Sequence, residues 1–112
     1  MSEFLFLFRG STRLTRSPEE TQKSMQKWVA WFKELNEKHV VKDPGNPLDA
    51  SGKVVRGRAK DVHDGPFAEA KDLVNGYVVI ETATIDAAVA LSKGCPILDD
   101  GGSVEVRPLL KL

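Results

Sequence analysis

The stretch Glu3-Phe4-Leu5-Phe6-Leu7-Phe8-Arg9 decides the fold. Side chains alternate across a strand, so Phe4, Phe6 and Phe8 share one face while Leu5 and Leu7 share the other. Both faces are apolar. Residues 76–82 repeat this character, with Tyr77-Val78-Val79-Ile80 apolar on either side. Strands of this kind need a layer of structure against each face.

Working outward, residues 10–16 form a polar loop, and Ser17-Pro18-Glu19-Glu20 reads as a helix start. Ser17 can cap the free N–H groups, Pro18 suits the first helical position, and Glu20 completes a capping box. The helix is predicted to run to about residue 38. Thr21, Met25, Trp28, Val29, Phe32 and Leu35 fall on one stripe at helical spacing, with Trp31 on its shoulder. Val40-Val41 begins a short strand that Asp43-Pro44-Gly45 ends. Residues 43–52 are turn-rich, and residues 53–56 and 59–63 read as further strand segments with Gly57 between them. Asp64-Gly65-Pro66-Phe67 is expected to be a turn, because Gly tolerates positive φ and Pro fixes the exit direction. Thr84 caps a second helix over about residues 85–93, with Gly94 as its expected C-cap and Pro96 preventing its continuation. Residues 103–107 form a last strand in which Val104 and Val106 alternate with Glu105 and Arg107.

This order implies an α+β fold, a ferredoxin-like antiparallel sheet with two helices on one face. Two helices cover only one side of such a sheet, so the second apolar face is predicted to pack against another copy, giving a dimeric α/β barrel. The alternative is that the segment from Asp43 to Gly57 folds over that face. The chain of 112 residues is the size of one domain, spanning residues 1–112. Sixteen basic and sixteen acidic residues cancel, which disfavours a general nucleic-acid binder. No run approaches the ~20 apolar residues of a membrane helix, and the first residues read as a strand rather than a signal peptide. A single cysteine makes no internal disulfide, so a cytoplasmic location is expected.

The run Asp64-Gly65-Pro66-Phe67-Ala68-Glu69-Ala70-Lys71-Asp72, followed by Gly76-Tyr77, resembles the signature of the DGPF-type branch of the YCII-related proteins. Gly94-Cys95-Pro96 and the closing residues 102–108 are similar to that family's C-terminal pattern, and residues 28–35 to its first helix. The resemblance implies a dimeric α/β barrel with a cleft between sheet and loops. It also implies kinship with enzymes acting on small ring compounds, some of which are proposed to use a His–Asp pair. That histidine lies early in the chain, whereas the first histidine here is His39, so the pair does not carry over. Some members are linked with sigma-factor regulation.

Read directly, His63 and Asp64 are the leading catalytic pair, because histidine titrates near neutrality and a carboxylate can orient it as a base. Adjacent strand residues point oppositely, however, which makes Asp61 the other candidate orienter and a surface histidine beside a turn-forming aspartate the plainer reading. Glu69, across the signature turn, is the third catalytic candidate; pairing with Lys71 or an arginine is its structural alternative. Arg9 and Arg13, with Arg16, cluster after the first strand, where they can grip an anion; a solvated loop is the plainer account. Trp31 is the better pocket residue of the two tryptophans, with Trp28 assigned to the core. Tyr77 can offer its hydroxyl to a ligand or satisfy it internally. Cys95 reads as a buried structural thiol, and His39 as a complement to the helix dipole. No metal-ligand spacing or phosphate-binding glycine loop is present, so no metal and no cofactor are expected. Two functions remain open: a cleft binding a small anionic or ring-containing molecule, and a non-enzymatic regulatory or protein-interaction module.

Overall fold

The computed structural model describes residues 1–10, 17–65 and 72–112 of the chain. Its elements run β1 (Ser2–Arg9), α1 (Pro18–Glu37), β2 (Val41–Asp43), β3 (Gly52–Arg56), β4 (Asp61–Gly65), β5 (Val74–Thr82), α2 (Ile85–Ser92), a short 3-10 turn (Pro96–Leu98) and β6 (Ser103–Pro108). Four strands form one sheet in the order β2-β5-β1-β6, with every neighbouring pair antiparallel. This is the ferredoxin-like arrangement, with the two doubly apolar strands β1 and β5 at its centre. The register sets Phe4 opposite Ile80 and Phe6 opposite Val78, and on the other flank Phe6 opposite Val106. These side chains share the face covered by the helices. Phe6, Val78 and Ile80 are fully buried there, and each such side chain contributes about 1.5–3 kcal/mol through burial.

Both helices begin as their sequences dictate. The Ser17 hydroxyl accepts from the Glu20 N–H at 3.1 Å, and the Thr84 hydroxyl accepts from the Ala87 N–H at 3.1 Å. At the end of α1, His39 adopts a φ of 56°, its N–H donating to the Asn36 carbonyl and that of Val40 to the Leu35 carbonyl. This is a Schellman closure with histidine in the place glycine usually takes. His39 therefore closes the helix by its backbone, a role beyond the dipole complement expected of its ring.

Three expectations are corrected. The buried stripe of α1 is carried by Trp31 and Leu35, with Trp28 and Phe32 half-buried and Met25 and Val29 exposed. Residues 28, 31, 32 and 35 form one face at helical spacing as well as 25, 29 and 32 do, and the sheet selects the former. Gly94 is not a left-handed cap: α2 ends on Lys93, and an added Cβ at Gly94 would lie 3.0 Å from the Trp31 ring. Asp64 and Gly65 are strand rather than turn residues, paired with Lys53 and Gly52; the rest of that expected turn lies outside the described residues.

β3 and β4 form a separate two-stranded sheet, closed by residues 57–60. The packing of this arm is almost entirely internal among the described residues, and Val55 and Val62 remain 64% exposed. The radius of gyration is 15.5 Å, against the ~13 Å of a compact domain near this size. No described helix is long and apolar enough to cross a membrane.

Candidate functional site

The segment between β2 and β3 docks along the edge of β5. The Asp43 carboxylate accepts from the Gly45 N–H at 2.8 Å, the Leu48 N–H donates to the Asn75 carbonyl at 2.7 Å, and Pro47 lies opposite Gly76. Two prolines stiffen this edge. It stands away from the N-terminal half of α1, and between them opens a cavity of about 420 Å³. Phe8 from β1 and Trp28, Phe32, Met25 and Val29 from α1 supply apolar walls, and Pro44, Pro47 and Tyr77 supply the opposite side. Phe8 meets Trp28 edge to face with ring centroids 5.0 Å apart, and Trp28 and Phe32 are roughly parallel at 6.3 Å. Such contacts hold the aromatic wall in one geometry.

Polar groups are few. Thr21, Ser24, Asn46, Asn75 and Tyr77 are neutral, and no described lining residue is charged. The Asn46 amide reaches the Tyr77 hydroxyl at 3.4 Å. The Trp28 indole N–H is buried and has no acceptor among the described residues, a costly state for a donor shielded from water.

The candidates named from sequence do not converge on this cavity. Among those described, Tyr77 alone lines it. Trp31, expected at a pocket, is 4% exposed in the core and donates its indole N–H to the Leu91 carbonyl at 3.2 Å. Trp28, assigned to the core, takes the pocket position instead. Both corrections follow from the rotation of α1 described above. Arg9 is occupied: its Nε bonds Glu105 at 3.0 Å and its Nη1 the Asp72 carbonyl at 2.8 Å. His63 and Asp64 lie on the exposed arm, on opposite faces of β4, and Asp64 is ion-paired with Lys53. Glu69 and Arg13 lie outside the described residues. Cys95 is buried, and that burial pushes its thiol up to about 12, which leaves it protonated and inert at neutral pH. Glu105, held by Arg107 and Arg9, sits below the ordinary carboxylate range.

Sequence reasoning missed Phe8, Trp28 and Phe32 as cavity walls, and Pro44 and Pro47 as the opposing edge. The spacing of Trp28 and Phe32, one helical turn apart, was the available signal. The docking of the proline segment is made by backbone groups and left no side-chain signature.

The family model for the YCII-related domain matches residues 5–112. No curated protein matches the chain in sequence. Among solved structures, the chain is similar to 5-chloro-2-hydroxyhydroquinone dehydrochlorinase from Burkholderia phenoliruptrix AC1100, determined in complex with 2,5-dihydroxybenzoquinone. The identity is 15% and the TM-score 0.52, over 98% of this chain and 95% of that one. At that identity the likeness concerns the fold.

Proposed function

This chain belongs to the YCII-related domain family, and from that premise we propose that it binds a small, uncharged, ring-shaped molecule in the cavity between α1 and the proline-bearing edge of β5. The observation that carries this is an apolar cavity of about 420 Å³ walled by Phe8, Trp28 and Phe32. That volume falls within the roughly 300–1,000 Å³ of small-molecule sites, where a few polar groups orient a ligand among apolar walls. Carbonyl or hydroxyl oxygens on the ring would meet the neutral polar residues Thr21, Ser24, Asn46 and Asn75, and the side chains of Phe8, Trp28 and Phe32 would receive the ring itself. The quinone bound by the structurally similar dehydrochlorinase is likewise a ring with carbonyl and hydroxyl oxygens, although its acidic hydroxyls ionise at neutral pH. The absence of charge from the described lining favours a neutral ring over the anion that the arginines suggested.

Calorimetric titration with neutral quinones and phenols, set beside benzoates of equal size, tests the proposal. The neutral rings are expected to bind and the benzoates to bind at least tenfold more weakly. Trp28→Leu removes one aromatic wall, which should weaken a ring ligand roughly 2–10-fold, the worth of one aromatic contact. Equal affinity for the charged series, or an indifferent Trp28→Leu, sinks the assignment.

The open face of the sheet supports a second element of the reading, the homodimer. Leu5, Leu7 and Val79 point away from both helices, and a layered fold needs a cover for such a surface. A second copy packed sheet to sheet supplies it.

A further inference from the structure

On the open face, Glu3 of β1 stands directly opposite Glu81 of β5. Like charges in cross-strand register repel, and sheets ordinarily avoid this pairing. Both residues are half-buried, and neither carboxylate has an ion-pair partner among the described residues. The acidic corner lies beside the apolar patch of Leu5 and Val79, which are cross-strand partners on the same face.

The arm presents the complement. Its closing turn carries Arg58 and Lys60, both exposed and without an ion-pair partner among the described residues. Behind them Val55 and Val62 stand opposite one another at 64% exposure. A two-stranded hairpin with little packed on it is marginally stable in water, and this one, which packs chiefly on itself among the described residues, gains most from a surface that covers its valines and neutralises its tip.

The arm cannot meet the corner of its own sheet as it stands. It leaves the sheet just after the Leu48–Asn75 bond, whereas Glu81 lies six residues further along β5, roughly 20 Å away at the rise of a strand. A two-fold axis lying between the two open faces, perpendicular to the strands, reverses that direction. It brings the arm-bearing end of one sheet over the acidic corner of its partner, and does so twice by symmetry.

We infer that, in the sheet-to-sheet dimer, the β3–β4 arm of each copy clasps the other copy at Glu3 and Glu81, with Arg58 and Lys60 as the matching cations and Val55 and Val62 against the partner's apolar patch. The inference rests on the homodimer reading given above and adds how the two copies recognise one another.

Sedimentation equilibrium on the full chain tests it, with circular dichroism confirming that each surface variant is folded. The double reversal R58E/K60E is expected to raise the dimer dissociation constant at least about tenfold, since attraction becomes repulsion at two symmetric contacts. Adding E3K/E81K to the same chain should bring the constant back to within about threefold of the parent, and raised salt should weaken the parent dimer. A chain that is monomeric at every concentration overturns the homodimer reading and this inference with it. A dimer indifferent to R58E/K60E overturns the clasp alone, as does a weakened dimer that E3K/E81K fails to restore.

Discussion

The sheet and the arm are built from the same local parts and end in opposite conditions. Both are antiparallel ladders, and both carry β-branched residues in register, Val78 against Phe6 in one and Val55 against Val62 in the other. Val78 is fully buried, while Val55 is 64% exposed. The difference is the layer behind the strand. α1 and α2 lie on the inner face of β1 and β5, whereas β3 and β4 pack chiefly on each other among the described residues. Backbone pairing is therefore enough to shape a strand here, and only burial makes it part of the core.

Large-to-small substitutions break this comparison most directly. Phe6→Ala should cost about 3–5 kcal/mol, because the deleted ring leaves a void between Trp31 and the sheet that fixed neighbours cannot fill. Phe6 is fully buried, with its ring centroid 6.2 Å from that of Trp31. Val62→Ala on the arm should move the stability of the monomer by less than about 0.5 kcal/mol. Urea unfolding at low protein concentration measures both. Similar losses at the two sites would mean that the arm is packed against something after all.

The same contrast marks what the sequence could disclose. β1, β5 and the caps at Ser17 and Thr84 were legible because alternation and capping are local chemistry, visible in a few consecutive residues. Their order was enough to imply the ferredoxin-like sheet. The rotation of α1 was not legible, since residues 25, 29 and 32 and residues 28, 31 and 35 are both acceptable apolar faces until a sheet chooses between them. Exchanging Trp28 and Trp31 followed from that ambiguity, and with it the location of the cavity. The arm was legible as two strands around Gly57 but not as a separate sheet, because detachment is a missing tertiary contact and leaves no pattern. His63 and Asp64 attracted attention by residue type alone; the arm that carries them places them away from the cavity.

Two glycines test where the sheet ends and the arm begins. Gly45 and Gly57 have almost the same backbone, with φ of 64° and 69°. A Cβ on Gly45 would fall 1.8 Å from the Tyr77 carbonyl oxygen, while one on Gly57 would meet nothing within 4 Å. Gly57→Ala should therefore cost only the strain of a left-handed residue, about 1 kcal/mol, confined to the arm. Gly45→Ala adds a backbone collision that must push the proline segment off β5, for roughly 2–4 kcal/mol in all. It should also abolish ligand binding by opening one wall of the cavity. Thermal unfolding and calorimetry on the two variants read these effects. Equal losses would assign the proline segment to the arm rather than to the sheet.

The smallest expected effect concerns ion pairs, and it sharpens the comparison on the open face. Glu105 is held by Arg107 at 3.1 Å and by Arg9 at 3.0 Å, and Arg9 comes from the neighbouring central strand. The hydrogen bonds from Arg107 and then Arg9 hold its carboxyl below the ordinary carboxylate range. A group with a depressed folded pKa binds its proton more readily in the unfolded chain. Its contribution is thus present above the ordinary carboxylate pKa and is lost as pH falls through the lower folded value. Glu105→Gln should lower the neutral plateau by that contribution and leave the acid end where it was, which flattens the acid limb of the stability curve. On the arm, Lys53 and Asp64 also pair, but their side chains are 67% and 89% exposed, where water and salt screen most of the attraction. Lys53→Ala is accordingly expected to leave the acid limb where it was. A flattened limb in Lys53→Ala and an unchanged one in Glu105→Gln would reverse the ranking, and would mean that the arm's ion pair is shielded by a surface that covers it.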